Sequence, residues 1–566
     1  MKTIRVKKEI KKEIDYSYLE EFYTKINIDG IDFNTDLDNL KDVGNGALLL
    51  KEMIDNKKHI CIVSDYDADG ITSAVTLTKG IKNILKNKNT STIVNKRKDG
   101  NGFNKKLIRR IIDLHEDNPI DLIITSDHGS NDNDAFLLLK EKCNNVKIIL
   151  TDHHTISKYP ECVEVFINPM REDSMYPKSI SGCATAFLLL VKTFELKKLN
   201  HKALYELVPY AGISTVTDCM DMNLPYNQFL VEMALRIMNS ERYVYWHIFK
   251  IKLGIGILYT IKDFGFTLGP LFNCGNVVNE EEHIFKMLME NDVDKLATHI
   301  SVGIQLNKKR KDLTKKYVDI LKETMEPKNT ICELVDVKED VIINGKIASA
   351  IGTTYNLPTI IFGPSKTDVY NGSGRGIVSN FNILDVIHKI NKHDNSIINT
   401  YGGHYGALGC SVFKNKFNDF KTLFDLYSKE SMPTDSNVMD CDMYVMYKYI
   451  DIKLYEEQEK YGPYGQYKPP PTYMTIMTIE RVHSFGPIAK FVLSHNGVKI
   501  DAIYFFNDTS VTKDNLDSFK GKLCFIAFNL ELARYRGSYS LNLLIKRVEE
   551  VKKWVPYSQV LARMAI

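Results

Sequence analysis

The sequence predicts an α/β protein of several domains, built first on a parallel sheet and ending in a small β-barrel. Three observations carry this. Apolar runs of strand length at residues 60–63, 121–126 and 146–151 each stop at an acidic or acidic-imidazole cluster, and helix-like segments at 74–86 and 133–143 lie between them. Strands alternating with helices favour a parallel sheet, whose strand ends share one edge. After residue 440, five short alternating runs separated by turns suit a barrel.

The first run ends in Asp65-Tyr66-Asp67-Ala68-Asp69-Gly70, the second in Asp127-His128-Gly129, the third in Asp152-His153-His154. In an open α/β sheet, ligands gather at the carboxyl ends of strands. A period-two strand would point Asp65, Asp67 and Asp69 one way, and like charges that close repel unless a cation or hydrogen bonds hold them. Taken singly, each Asp reads equally as a helix N-cap, and His153-His154 as a satisfied loop pair. Three such endings together predict a site for hard cations, Mn²⁺ or Mg²⁺, with one ion or two. An EF-hand is excluded, because Thr76 stands where its glutamate belongs.

The totals set limits. A chain of 566 residues, 44% hydrophobic and 26% charged, fits a multidomain globular protein. A formal net charge of +3 confines any nucleic-acid surface to a local basic patch. Ten cysteines without a Cys-x-x-Cys pair argue against a zinc ribbon, an iron–sulfur cluster or a disulfide framework, and fit a reducing cytoplasm. No signal-peptide pattern or membrane span is expected.

Residues 1–58 read as a charged, mostly helical N-terminal cover, with Lys7, Lys8, Lys11 and Lys12 on a solvated face or, as the alternative, in a DNA-touching arm. Residues 95–103, with Lys96 and Arg97, form a basic Gly-punctuated loop suited to phosphates or to a plain turn. Small residues at 181–186 open an apolar helix, allowing backbone N–H groups near an anion or close helix packing. Residues 292–325 read as a long charged helix, and 330–430 as a second α/β unit. A linker follows near 431–437. The barrel strands are expected at 475–482, 489–494, 499–506, 523–530 and 540–546, with Tyr464, Tyr504, Phe505, Tyr535, Arg536 and Tyr539 as candidates to meet a single strand.

Asp67-Ala-Asp69-Gly, Asp127 in its apolar context and Asp152-His153-His154 resemble the first three motifs of the DHH phosphoesterase superfamily. The order of later segments resembles its RecJ branch of single-strand-specific exonucleases. The resemblance implies a DHH catalytic domain (59–290), a connecting helix (291–328), a smaller DHHA1 domain (329–430) and an OB-like domain (440–566). It also implies Asp67, Asp69, Asp127, His153 and Asp218 as metal ligands, with Asp127 bridging two ions. His154 would act on the phosphate as a catalytic group beside Asp127, and Asp65 and Asp152 would orient the ligands. Arg375, Gly402, Gly403, His404, Asn273, Lys96 and Arg97 would meet phosphates or DNA. Family arginines are missing at Leu271, Asn276 and Gln228. The implied activity is 5′-to-3′ hydrolysis of single-stranded DNA to nucleoside monophosphates in repair, recombination or replication. The implied protein is a monomer in the cytoplasm of a bacterium or phage-infected host, with a single-strand-binding protein or helicase as partners and no membrane. The alternatives are a DHH phosphodiesterase for short oligonucleotides or cyclic dinucleotides, a non-catalytic replication factor, and a pyrophosphatase, which Val63 in place of a histidine disfavours.

Overall fold

The computed structural model describes residues 3–8, 32–33, 35–338, 342–365, 367–378, 381–433, 438–485, 488–505, 515–535 and 538–551. Strand β1 (Thr3–Lys8) opens the chain. It pairs in parallel with a strand of the C-terminal sheet, so this part of the expected helical cover is a strand instead. Lys11 and Lys12 lie outside the described residues.

The first α/β unit holds β2 (Ile60–Ser64), β3 (Thr90–Val94), β4 (Leu122–Ser126), β5 (Lys147–Thr151) and β6 (Val165–Ile167), in the order β3-β2-β4-β5-β6. All four pairings are parallel. Both faces are covered, which is why these strands read as unbroken apolar runs. Ile60, Ile62, Leu122 and Ile124 pack into the core beneath helices Val43–Asp55, Ala68–Thr78 and Gly182–Leu196. Cys61, Val63, Ile123 and Ile148 face the opposite core, under helices Lys105–Asp117 and Asn133–Lys142. The chain reverses direction across the sheet between β2 and β4, and that switch point is where an open α/β sheet leaves a crevice.

The helix Val293–Thr324, capped by the Asp292 carboxylate, leads to a second sheet. This sheet holds β7 (Ile331–Leu334), β8 (Thr359–Gly363), β9 (Val369–Arg375), β10 (Ile398–His404) and β11 (Ala407–Phe413), in the order β10-β11-β9-β8-β7. After β12 (Val438–Tyr444), strands β13 (Tyr473–Phe485), β14 (Ile488–His495), β15 (Val498–Phe505), β16 (Leu523–Tyr535) and β17 (Ser538–Glu550) follow. β16 pairs with both β17 and β13, closing five strands into an OB-like barrel. All five lie where the alternation predicts strands. Tyr504 is fully buried in the barrel core and is no stacking platform; Phe505 is half exposed. The side chains of Tyr535, Arg536 and Tyr539 fall outside the described residues. Among the described residues, no helix is long and apolar enough to cross a membrane.

Candidate metal centre

The backbone ladder continues one residue past each strand and so fixes where the site begins. Asp65 N–H donates to Ser126 O, Asp127 N–H to Thr151 O and Asp152 N–H to Ile167 O. Strand β2 ends at Ser64, so the carboxylate alternation is not a strand pleat. Asp67 caps the next helix by accepting from Gly70 N–H (3.1 Å), and Asp69 sits in that helix's first turn. A Cβ on Gly70 would come within 2.5 Å of the Asp65 carbonyl, which ties this tight turn to glycine.

The side chains converge as three overlapping sets. Ligating atoms lie within 4.8 Å of one another in Asp65–Asp67–Asp127, in Asp69–His153–Asp218 and in Asp127–His153–His154. His153 Nε2 stands 3.2 Å from Asp127 Oδ1, 3.5 Å from Asp218 Oδ2 and 3.6 Å from Asp69 Oδ2. Asp127 is shared by two sets and is almost completely buried. Its backbone adopts φ +64°, in the left-handed region that Asp tolerates better than most residues. Buried Asp127 Oδ1 and Asp65 Oδ1 have no hydrogen-bond donor among the described residues. Acceptors so placed are what a cation would satisfy, and a mixed carboxylate–imidazole set suits Mn²⁺ or Mg²⁺.

Electrostatics say the same. Burial, then the neighbouring charges of Asp69, Asp67, Asp65 and Asp218, pushes the Asp127 carboxyl well above the carboxylate range. Burial and then Asp69 raise Asp67 and Asp218. Burial and then Asp67 push Asp65 up to about 8. Burial lowers His153, keeping its imidazole neutral. Burial also works against charge on His154, but the Asp152 hydrogen bond (2.8 Å) and charge outweigh it and hold that imidazole at about 10.

Supporting groups occupy the expected small-residue helix. Asp69 accepts from Gly182 N–H and Cys183 N–H, both at 2.7 Å, and from Ser214 Oγ at 2.5 Å. The anion suited to that helix start is therefore a carboxylate of the chain itself. A Cβ on Gly182 would lie 2.6 Å from Asp127 Oδ1, so the same glycine lets Asp127 in. Asp152 accepts from Ser130, His153 and His154 N–H groups and so ties that loop together. Asn168 donates to Ser130 Oγ (2.8 Å) and His154 O (2.9 Å). His128 stacks on Phe103 and reaches Val63 O (3.2 Å), away from the cluster.

Several expectations are corrected. Asp65 stands among the convergent carboxylates rather than behind them. Lys96 pairs with Glu282 (2.8 Å) instead of facing a phosphate. Asn273 accepts from Ala68 N–H (2.9 Å), so it holds the helix start beside Asp67. At the three positions without the family's arginines, Leu271 is core, Asn276 donates to Asn273 (3.4 Å) and Gln228 is buried. Gly402 and Gly403 lie on edge strand β10, and the His404 side chain is outside the described residues. Arg375 stays near the cleft, at the start of helix Asn344–Tyr355, where a Gly345 Cβ would touch its guanidinium at 2.8 Å. Lys346 and Arg310 carry no site expectation from the sequence, where Arg310 reads as part of a charged connecting helix and Lys346 as part of the second α/β unit. Burial, then Arg310, Arg375 and Arg97, pushes the Lys346 amine down to about 8, and Asp67 also acts on it.

Strand-end carboxylates and histidines at the switch point of a parallel sheet, joined by one long helix to a second sheet, form a candidate centre for divalent cations. Residues 59–213 match the DHH family N-terminal domain and 441–547 match the RecJ OB domain. The single-stranded-DNA-specific exonuclease RecJ of Haemophilus influenzae is 24% identical over 543 residues, covering 89% of this chain and 90% of that protein. The Escherichia coli protein of that name is 22% identical over 536 residues, covering 86% and 87%. The fold matches RecJ of Thermus thermophilus in complex with Mn²⁺ at TM-score 0.73 and 20% identity, covering 93% of this chain and 75% of that one. A Mg²⁺ complex of the same protein matches at 0.68 and 19%, covering 91% and 71%. The chain is thus similar to RecJ along nearly its whole length, with a DHH N-terminal domain match at residues 59–213 and a RecJ OB domain match at 441–547.

Proposed function

We propose that the chain is a metal-dependent exonuclease that hydrolyses single-stranded DNA from the 5′ end, releasing nucleoside monophosphates. The observation that carries this reading is the convergence of five aspartates and two histidines from four segments in a RecJ-like frame. In this reading Asp65, Asp67, Asp69, Asp127, His153 and Asp218 hold Mn²⁺ or Mg²⁺, with Asp127 common to two sites. Bound ions of this kind supply a water nucleophile at neutral pH and relieve charge on phosphoryl oxygens.

The chain's own groups do the rest. Asp69, fixed by three donors, cannot swing away from His153. His154 lies at the mouth of the site, its side chain 48% exposed, and Asp152 keeps it protonated. As an imidazolium it can stabilise a phosphoryl oxygen or give a proton to the leaving 3′ oxygen. Arg97, just after β3, and Arg310, Lys346 and Arg375, from the long helix and the second α/β unit, position the phosphates that follow. The barrel, half-exposed Phe505 included, carries the strand beyond.

The test offers labelled single-stranded DNA, duplex DNA, a dinucleotide and pyrophosphate, with Mn²⁺ and with EDTA. Mn²⁺-dependent release of mononucleotides from a 5′-labelled single strand supports the reading. Cleavage restricted to the dinucleotide or to pyrophosphate overturns it.

A further inference from the structure

Asp218 differs from the other convergent carboxylates in having no strand behind it. It ends helix Val208–Thr217, and the loop that follows begins with Cys219 at φ +56°. Something else must fix that loop, because a ligand held loosely by about 1 Å no longer completes a site.

One side of the loop is tied within its own unit: Asp221 N–H donates to Ser179 Oγ (2.9 Å), and Asn227 Nδ2 bridges Ser179 O and Asp221 O. The other side is tied by a distant segment. The turn at residues 465–468, just ahead of the barrel, docks on it. Met222 N–H donates to Gln466 O (3.0 Å), and Asn223 Nδ2 donates to Tyr467 O (2.8 Å). The Met222 carbonyl accepts from Gln228 Nε2 (2.6 Å), whose Oε1 accepts from Lys468 Nζ (2.8 Å). Both main-chain polar groups of Met222 are thereby committed to the contact. Lys468 is 4% exposed and Gln228 2%, and burial pushes the Lys468 amine down to about 8. Lys468 forms no ion pair with a carboxylate among the described residues, and its charge is buried against the Gln228 amide and the Tyr464 ring. A lysine is buried at a cost, so its place there implies a role beyond packing. Gly465 approaches so closely that a Cβ would stand 2.6 Å from Met222 Cγ.

We propose that the turn at 465–468 braces the Asp218 loop, and that Lys468 and Gln228 are positioning residues for the metal centre. The C-terminal unit then does more than hold substrate: its docked state sets how well the distant site binds its ions. This rests on the metal-binding part of the proposed function.

The experiment uses the full chain stripped with EDTA. Mn²⁺ binding is measured by calorimetry for wild type, Lys468→Met, Gln228→Met and Gly465→Ala, beside single-strand affinity in EDTA and kcat and KM in Mn²⁺. The expected result is Mn²⁺ affinity weakened about tenfold in each variant, as for removal of an outer partner of a ligand, with single-strand affinity in EDTA unchanged. Lys468→Met combined with Gln228→Met is expected to be no worse than either alone. Wild-type Mn²⁺ affinity in folded variants overturns the brace, and so does a loss confined to single-strand affinity. If Lys468→Met fails to fold, Gly465→Ala, which keeps every polar group, decides alone. A wild type that binds Mn²⁺ but digests no DNA overturns the exonuclease reading and leaves the brace to the calorimetry.

Discussion

Asp127→Asn separates metal binding from folding more cleanly than any other change. Asparagine keeps the shape, and it tolerates the φ of +64° that an alanine would adopt at a cost of about 1–2 kcal/mol. In the metal-free protein the change removes a buried carboxyl that four neighbouring aspartates crowd. Stability without metal is therefore expected to hold or rise. With metal the balance reverses. An ion at 100 times its dissociation constant stabilises the folded state by about 2.7 kcal/mol. For a unit the size of the first α/β domain this raises the melting temperature by roughly 5–10 °C. Wild type is expected to show that rise on adding Mn²⁺, and Asp127→Asn to lose most of it together with all Mn²⁺-dependent digestion of single-stranded DNA. Scanning calorimetry with and without Mn²⁺, beside the digestion assay, reads both. A variant that keeps the Mn²⁺-induced rise and the activity would refute the sharing of Asp127 between two sites. A variant that is already unstable in EDTA would refute the claim that its charge burdens the fold.

Gly182→Ala places a methyl 2.6 Å from Asp127 Oδ1, and is expected to cost about 1–3 kcal/mol in denaturant unfolding and to weaken Mn²⁺-dependent turnover. His154→Gln keeps the metal-induced stabilisation but lowers kcat about 10²- to 10⁴-fold, seen in single-turnover kinetics on a 5′-labelled oligonucleotide. The metal-free protein loses stability as pH rises. Asp65 is pushed in the folded state from 3.8 up to about 8, so its contribution is full below about pH 4 and gone above 8. Melting curves in EDTA from pH 5 to 8.5 are expected to fall, and Mn²⁺ to reverse the trend most strongly at the alkaline end; a flat EDTA profile would count against buried, uncompensated carboxylates.

What the chain revealed before its structure depended on how local each signal was. Strand ends at Ser64, Ser126 and Thr151 were legible because runs covered on both faces carry their own apolar signature, and because the ladder carries Asp65, Asp127 and Asp152 just past them. The barrel strands were legible for the opposite reason, alternation on a half-covered surface. The path of the acidic turn was not. Asp65, Asp67 and Asp69 alternate as a strand would, yet Asp67 and Gly70 form a helix cap that splits them between two sets. Residues that act only through another element were legible, where they were legible at all, as something else. Asn273 looks like a phosphate contact until Ala68 N–H is seen to need an acceptor 205 positions earlier. Ser214 looks like packing until its hydroxyl reaches Asp69, and the helix start at Gly182 reads as fit for an anion without saying that the anion is Asp69. Gln228 looks like a lost arginine, and becomes the middle of a hydrogen-bonded path from Met222 to Lys468. The groups proposed to meet ions were therefore written in short motifs. The groups that hold those motifs still were scattered over the whole chain, where only long-range packing could bring them together.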